Sequence, residues 1–220
     1  MKIYFLVSHC GDLNLIDLCI MFSLLTLRLC TEYILPPIDR IPENIEKLTG
    51  ITDSFLRYGG YDEALGCERE AARCFKDVFL DFQSFIADRT QGKKVVLIAH
   101  NARFDRGMLD GELRRLRYSD KRDELPSSLG EVFDSSVDTL RLFRDNRMWK
   151  SLAKSRAMRR PDSFKLGYLY HHVFDVPIIN SHNAVGDVEA LDRLLMEKNV
   201  FHGWKHIANE IQRPFTKLST

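Results

Sequence analysis

Five consecutive apolar residues, Val95-Val96-Leu97-Ile98-Ala99, constrain the fold more than any other stretch of the chain. A run of strand length with no polar residue in it has no face for solvent, so it suits a strand buried on both sides in the middle of a sheet. It ends on His100-Asn101, after which Asp105, Met108, Leu109, Leu113 and Leu116 follow at helical spacing. A buried strand that passes straight into an amphipathic helix is the building unit of α/β sheets. Asp105 thereby falls in the first turn of that helix, at the edge of the sheet.

A second motif repeats the pattern. His100-Asn101-Ala102-Arg103-Phe104-Asp105 is matched some eighty residues later by His182-Asn183-Ala184-Val185-Gly186-Asp187. Two-metal phosphodiester cleavage needs carboxylates around two divalent cations roughly 3.5–4 Å apart, which clamp the attacking and leaving oxygens. It also needs a base to take a proton from the attacking water. Asp105 and Asp187 suit the first task, and a neutral His182 suits the second. With His182 five positions before Asp187, the histidine is expected in a loop and the aspartate in the first turns of the helix that follows.

The rest of the chain supplies a frame for these motifs. Ile3 to Ser8, Leu15 to Phe22 and Leu24 to Leu35 read as strands of an opening β-meander, broken by Pro36, Pro37 and Pro42. Pro42 to Ile51 reads as a short helical turn. Phe75, Val78, Phe79, Phe82, Phe85 and Ile86 share one helical face; the period favours core packing over a set of base-stacking platforms. Asp138-Thr139-Leu140 reads as the opening of another short strand, with Asp138 satisfying nearby backbone or hydroxyl groups. From Arg141 to Arg160 there are eight Lys or Arg against a single acid, Asp145, with Trp149 among them. That segment either binds the phosphates of a strand, with Trp149 available to stack, or is a solvated surface loop.

Composition narrows the class. Apolar residues make up 45% and charged residues 29%, ordinary for a globular domain with a sizeable core. A net charge of +1 shows that any nucleic-acid binding rests on local charge. The five cysteines have no zinc-like spacing and are odd in number, which points to reduced thiols in a nuclear or cytoplasmic setting. Asp17 and Arg28 interrupt the apolar stretch from residue 13 to 30, so no membrane segment is expected there. The pieces run end to end in one order, giving a single domain over residues 1–200 and a tail over 201–220.

The two motifs resemble the second and third exonuclease motifs of the DEDDh 3′-to-5′ exonucleases, the proofreading-subunit and RNase T type. Further family-like pieces lie between and before them: Tyr33-Ile34-Leu35-Pro36, Leu48-Thr49-Gly50-Ile51-Thr52, Val137-Asp138-Thr139-Leu140 and Phe164-Lys165-Leu166-Gly167-Tyr168-Leu169-Tyr170. Within the family, residues 131–198 look closest to the exonuclease-like domain of the promyelocytic leukaemia protein and its free-standing relatives. The resemblance implies a ribonuclease H-like α/β fold, with a mixed sheet (an antiparallel opening meander plus parallel strands) flanked by helices. It implies Asp105 and Asp187 as metal ligands, His182 as the base, and Asn101 with Thr49, Gly50 and Ile51 steadying the terminal nucleotide. The cofactor it implies is a pair of Mg²⁺ or Mn²⁺ ions, and the partner a DNA or RNA 3′ end.

The family's first motif, Asp-x-Glu on the opening strand, is where the chain departs. Setting Gly11 on the family glycine puts Leu6 and Ser8 where the two acids belong. Asp12 or Asp17 would have to stand in, and the former reads Asp12-Leu13-Asn14, with an uncharged amide in place of the bridging glutamate. Two carboxylates facing two ions that carry +4 neutralise them poorly, so the second ion is expected to bind weakly. Three readings remain open: an exonuclease domain with weak or lost catalysis, a silent fold that binds nucleic acid or an unidentified protein, and an active exonuclease whose first motif lies upstream of a misassigned start.

Overall fold

Lys94–Ala99 is a strand for the reason the sequence gives, and the rest of the fold is arranged around it. The computed structural model of the chain describes residues 6–10, 33–35, 40–62, 66–90, 92, 94–117, 125–156, 158–179, 184–200, 207, 210 and 212–215. Its elements in order are β1 (Leu6–Cys10), α1 (Glu43–Thr49), α2 (Asp53–Tyr58), β2 (Gly60–Asp62), β3 (Cys67–Arg69), α3 (Phe75–Thr90), β4 (Lys94–Ala99) and α4 (Ala102–Arg117). After a 3₁₀ turn at Leu129–Glu131 come β5 (Ser135–Asp138), α5 (Thr139–Arg144), α6 (Asn146–Arg156), α7 (Leu166–Phe174), α8 (Ala184–Met196) and β6 (Arg213–Pro214).

The main sheet has the order β1-β4-β5-β6. β4 pairs with β5 in parallel, Val96 opposite Ser135 and Ala99 opposite Asp138. β1 is antiparallel to β4, with Leu6 opposite Ile98 and Cys10 opposite Lys94, and β6 is antiparallel to β5. The sheet is therefore mixed and the chain α/β, compatible with a ribonuclease H-like fold. β2 and β3 form a separate hairpin. β1 overlaps the expected Ile3–Ser8 strand but runs on to Cys10. The other two meander strands lie outside the described residues apart from 33–35, where Ile34 makes a single parallel bridge to Arg73.

Successive residues of a strand point to opposite faces, and β4 feeds two cores in this way. Val96 and Ile98 join Val137 and side chains of α5 to α8, among them Leu142, Met148, Leu169 and Leu194. Val95 and Leu97 join Phe75, Phe79, Phe82 and Ile86 of α3 and Leu109 and Leu113 of α4. The phenylalanine stripe of α3 is core, as its period indicates: Phe75, Phe79, Phe82 and Ile86 are buried, and Val78 and Phe85 half-buried. The result is a sheet with helices on both faces. No helix among the described residues is long and apolar enough to cross a membrane.

Two expectations need correction. Asp138 ends a strand and does not open one, because its carboxylate caps the helix that begins at Thr139, accepting from the Leu140 N–H at 3.0 Å. The surface-loop alternative for residues 141 to 156 is replaced by two helices that meet at an extended Asp145, with Leu142, Phe143, Met148, Trp149 and Leu152 buried. Trp149 is buried at 4% exposure, so it is not available to stack on a base.

Candidate functional site

β4 delivers its chain to a sharp turn. Asn101 takes φ 70°, the left-handed region that a short amide side chain tolerates better than most. Its carbonyl accepts from Phe104 N–H at 2.8 Å, which starts α4, and its own N–H donates to Asp138 Oδ1 at 3.1 Å. The same oxygen takes the Leu140 N–H. One carboxylate thus fixes the exit of β4 and the entry of α5 from the end of the strand between them. Asp138→Ala is expected to cost about 1–2 kcal/mol, the usual loss for an N-cap, read as a lower urea midpoint at unchanged slope.

His100 is tied into the same turn. Its Nε2 lies 2.8 Å from the Phe164 carbonyl, to which it donates, and its Nδ1 lies 3.1 Å from Thr139 Oγ1. Thr139 is fully buried, and its hydroxyl also reaches the Ala99 carbonyl at 3.2 Å. Burial lowers the His100 pKa, the Phe164 carbonyl opposes that shift, and smaller contributions come from Asp138, Arg144 and Asp187. The ring ties β4, α5 and the segment before α7 together.

Asp105 sits in the first turn of α4 at 2% exposure, and its Oδ1 is buried with no hydrogen-bond partner. Burial pushes its carboxyl up to about 7; a hydrogen bond from its own backbone N–H opposes this, and the Asp138 charge adds to it. An orphaned, desolvated carboxylate is costly. Such groups cluster at functional sites, where a ligand completes them.

Asp187 lies half-buried in the first turn of α8, near enough for its charge to raise the pKa of His100. Asp138, at the C-terminal end of β5, thus lies within electrostatic reach of both Asp105 and His100, and Asp187 within reach of His100. Asn101 stands in the turn after β4, exposed. His182 lies outside the described residues. Thr49 ends α1, Gly50 caps it at φ 70° with its N–H on the Glu46 carbonyl, and half-buried Ile51 follows. These three are placed by α1 and not by the sheet. Thr52 and Asp53 fasten the segment, Thr52 Oγ1 accepting from Phe55 N–H and Asp53 Oδ1 from Ile41 N–H.

Among the described residues, no three His, Cys, Asp or Glu side chains gather closely enough to hold a metal ion. Asp105 offers an unclaimed oxygen, while Asp138 Oδ1 is already shared by two backbone N–H groups. The described residues therefore do not by themselves compose a two-ion centre. Two contributors escaped the sequence reading. Arg144, whose charge reaches His100, was hidden in a general excess of basic residues. The Phe164 carbonyl is a backbone atom 64 residues from His100, and no local pattern announces such a partner.

These features define an α/β chain with a mixed sheet and acidic side chains at the C-terminal edge of its central strands. Among known proteins, the chain is similar to the DNA polymerase III PolC-type of Halalkalibacterium halodurans, at 28% identity over 165 residues. The match covers 72% of this chain but 8% of the polymerase, so the chain spans a small part of that relative. No protein-family model matches.

Proposed function

We propose that this chain is an exonuclease-like domain of the DEDDh type that acts on or binds nucleic-acid 3′ ends, with catalysis weak or lost. The observation that carries the reading is Asp105, a buried carboxylate with an unpartnered oxygen that feels the Asp138 charge, just after a strand-to-helix turn whose His100 feels the Asp187 charge. The similarity to a DNA polymerase and the ordered motifs support the same class of substrate. Leu6 and Ser8 in place of the first acid pair favour binding over turnover. By the texture of residues 131–198 we place the chain nearest the exonuclease-like domain of the promyelocytic leukaemia protein.

The test is release of mononucleotides from a 5′-labelled single strand with Mg²⁺ or Mn²⁺, run beside Asp187→Asn, together with anisotropy of the same strand. We expect binding with little or no shortening. Metal-dependent 3′ shortening that disappears in Asp187→Asn would show an active exonuclease. Neither binding nor shortening at high protein concentration would sink the reading.

A further inference from the structure

We infer that the exposed face of α5 and α6 docks the sugar-phosphate backbone of a single nucleic-acid strand, carrying it away from the candidate site. This rests on the function proposed above and names the surface that would hold the strand beyond its end.

The charge on this face is local and uncommitted. The whole chain carries a net +1, yet Arg141 to Arg160 holds eight cations and one acid. Because Leu142, Phe143, Met148, Trp149 and Leu152 turn inward, Arg141, Arg144, Lys150 and Lys154 stand exposed on the other side. The single acid, Asp145, is occupied: Arg147 binds both its oxygens and also reaches Glu210 at 2.7 Å. Among the described residues, no ion pair joins Arg141, Arg144, Lys150 or Lys154 to a carboxylate. Lys150 and Lys154 are one turn apart, about 5–6 Å between Cβ atoms.

The face also begins at the site. α5 starts from Asp138, and the Arg144 charge is felt by His100. Arg160 lies 4.7 Å over the ring of Phe164, the residue whose carbonyl takes the His100 ring proton. Exposed cations on the two helices that follow Asp138 suit a polyanion whose end enters the acidic edge. A lipid surface would want large apolar side chains among the cations; the exposed ones, such as Tyr58, Phe104, Tyr168 and Ile179, all lie outside α5 and α6.

The experiment is anisotropy of 5′-fluorescein oligo-dT in EDTA, which keeps the strand intact, from about 50 to about 200 mM KCl. Each cation engaged with a single strand contributes about 0.7 to the slope of log K against log salt, so Lys150→Ala/Lys154→Ala should flatten it by about 1.4 and weaken binding about 25-fold near 0.1 M. Lys47→Ala/Arg114→Ala, which removes as much charge elsewhere, should leave the slope alone, and circular dichroism should show both variants folded. An unchanged slope in Lys150→Ala/Lys154→Ala, with the parent still binding, overturns the surface and leaves the proposed function standing. No oligo-dT binding by the parent overturns both. Loss of binding to phosphatidylserine vesicles without any change in the oligo-dT slope overturns the surface in favour of a membrane.

Discussion

Trp149→Ala is expected to lower the stability of the folded chain by about 3–5 kcal/mol, the usual cost of emptying a buried aromatic site. The indole is held at 4% exposure, 6.4 Å from the Phe164 ring and edge-on to His172 at 5.9 Å. It also closes a gap in the backbone. The Arg147 N–H, which would continue the helical ladder to the Phe143 carbonyl, donates instead to Asp145 Oδ1 at 2.8 Å. That leaves the carbonyl near the end of α5 without its helical partner, as at any helix terminus. The Trp149 indole N–H fills the vacancy at 2.6 Å. Trp149→Phe, which keeps most of the packing and orphans the carbonyl, should therefore cost a smaller 1–3 kcal/mol or so. Urea unfolding followed by circular dichroism separates the two variants. If Trp149→Ala unfolded at the parent's midpoint and lost oligonucleotide affinity instead, the residue would be a stacking platform after all.

Trp149 also shows where the sequence was legible and where it was not. Val95 to Ala99 is readable because every residue agrees: an unbroken apolar run admits no solvent face, and both cores draw on it. The α3 stripe is readable because its period is clean. Between Arg141 and Arg160 two signals overlap, a dense positive charge and a buried face of Leu142, Phe143, Met148, Trp149 and Leu152. Charge is what composition reports first, so the segment reads as a phosphate-binding stretch or a surface loop, although the helical period is present in the same letters. Asp138 was read correctly in what it satisfies but placed at the wrong end of its strand. A residue that both finishes a strand and caps a helix carries the marks of each. For the candidate site, Asp105 and Asp187 could be placed in first turns from their motifs. The long-range link from His100 to the Phe164 carbonyl depends on how α7 packs, which no spacing encodes.

Asp105→Asn should gain more stability over the parent at pH 8 than at pH 5, when both proteins are compared in EDTA. The sign follows from burial. Asp105 has its carboxyl raised from 3.8 to about 7 in the folded chain, so the folded state binds the proton more tightly than the unfolded one. A group of this kind contributes its full stability below the unfolded value, loses it progressively as pH rises, and has lost it once pH passes the folded value. One pKa unit is about 1.4 kcal/mol, which makes the full difference about 4 kcal/mol at most, and local relaxation brings the expected effect to roughly 2–3 kcal/mol. Asparagine keeps the shape and cannot ionise, so it removes this loss, while its own unpartnered amide takes back part of the gain. For a chain of this size a gain of about 2 kcal/mol corresponds to a Tm roughly 4–8 °C higher at pH 8. The Asp138 charge contributes to the same shift, so Asp138→Asn should make the pH-dependent loss smaller and complete at a lower pH without abolishing it. Thermal unfolding at both pH values tests the argument. A Tm difference between Asp105→Asn and the parent that stays constant from pH 5 to pH 8 would mean that the carboxylate is not strained by burial, and the strongest support for a ligand site at this edge would be gone.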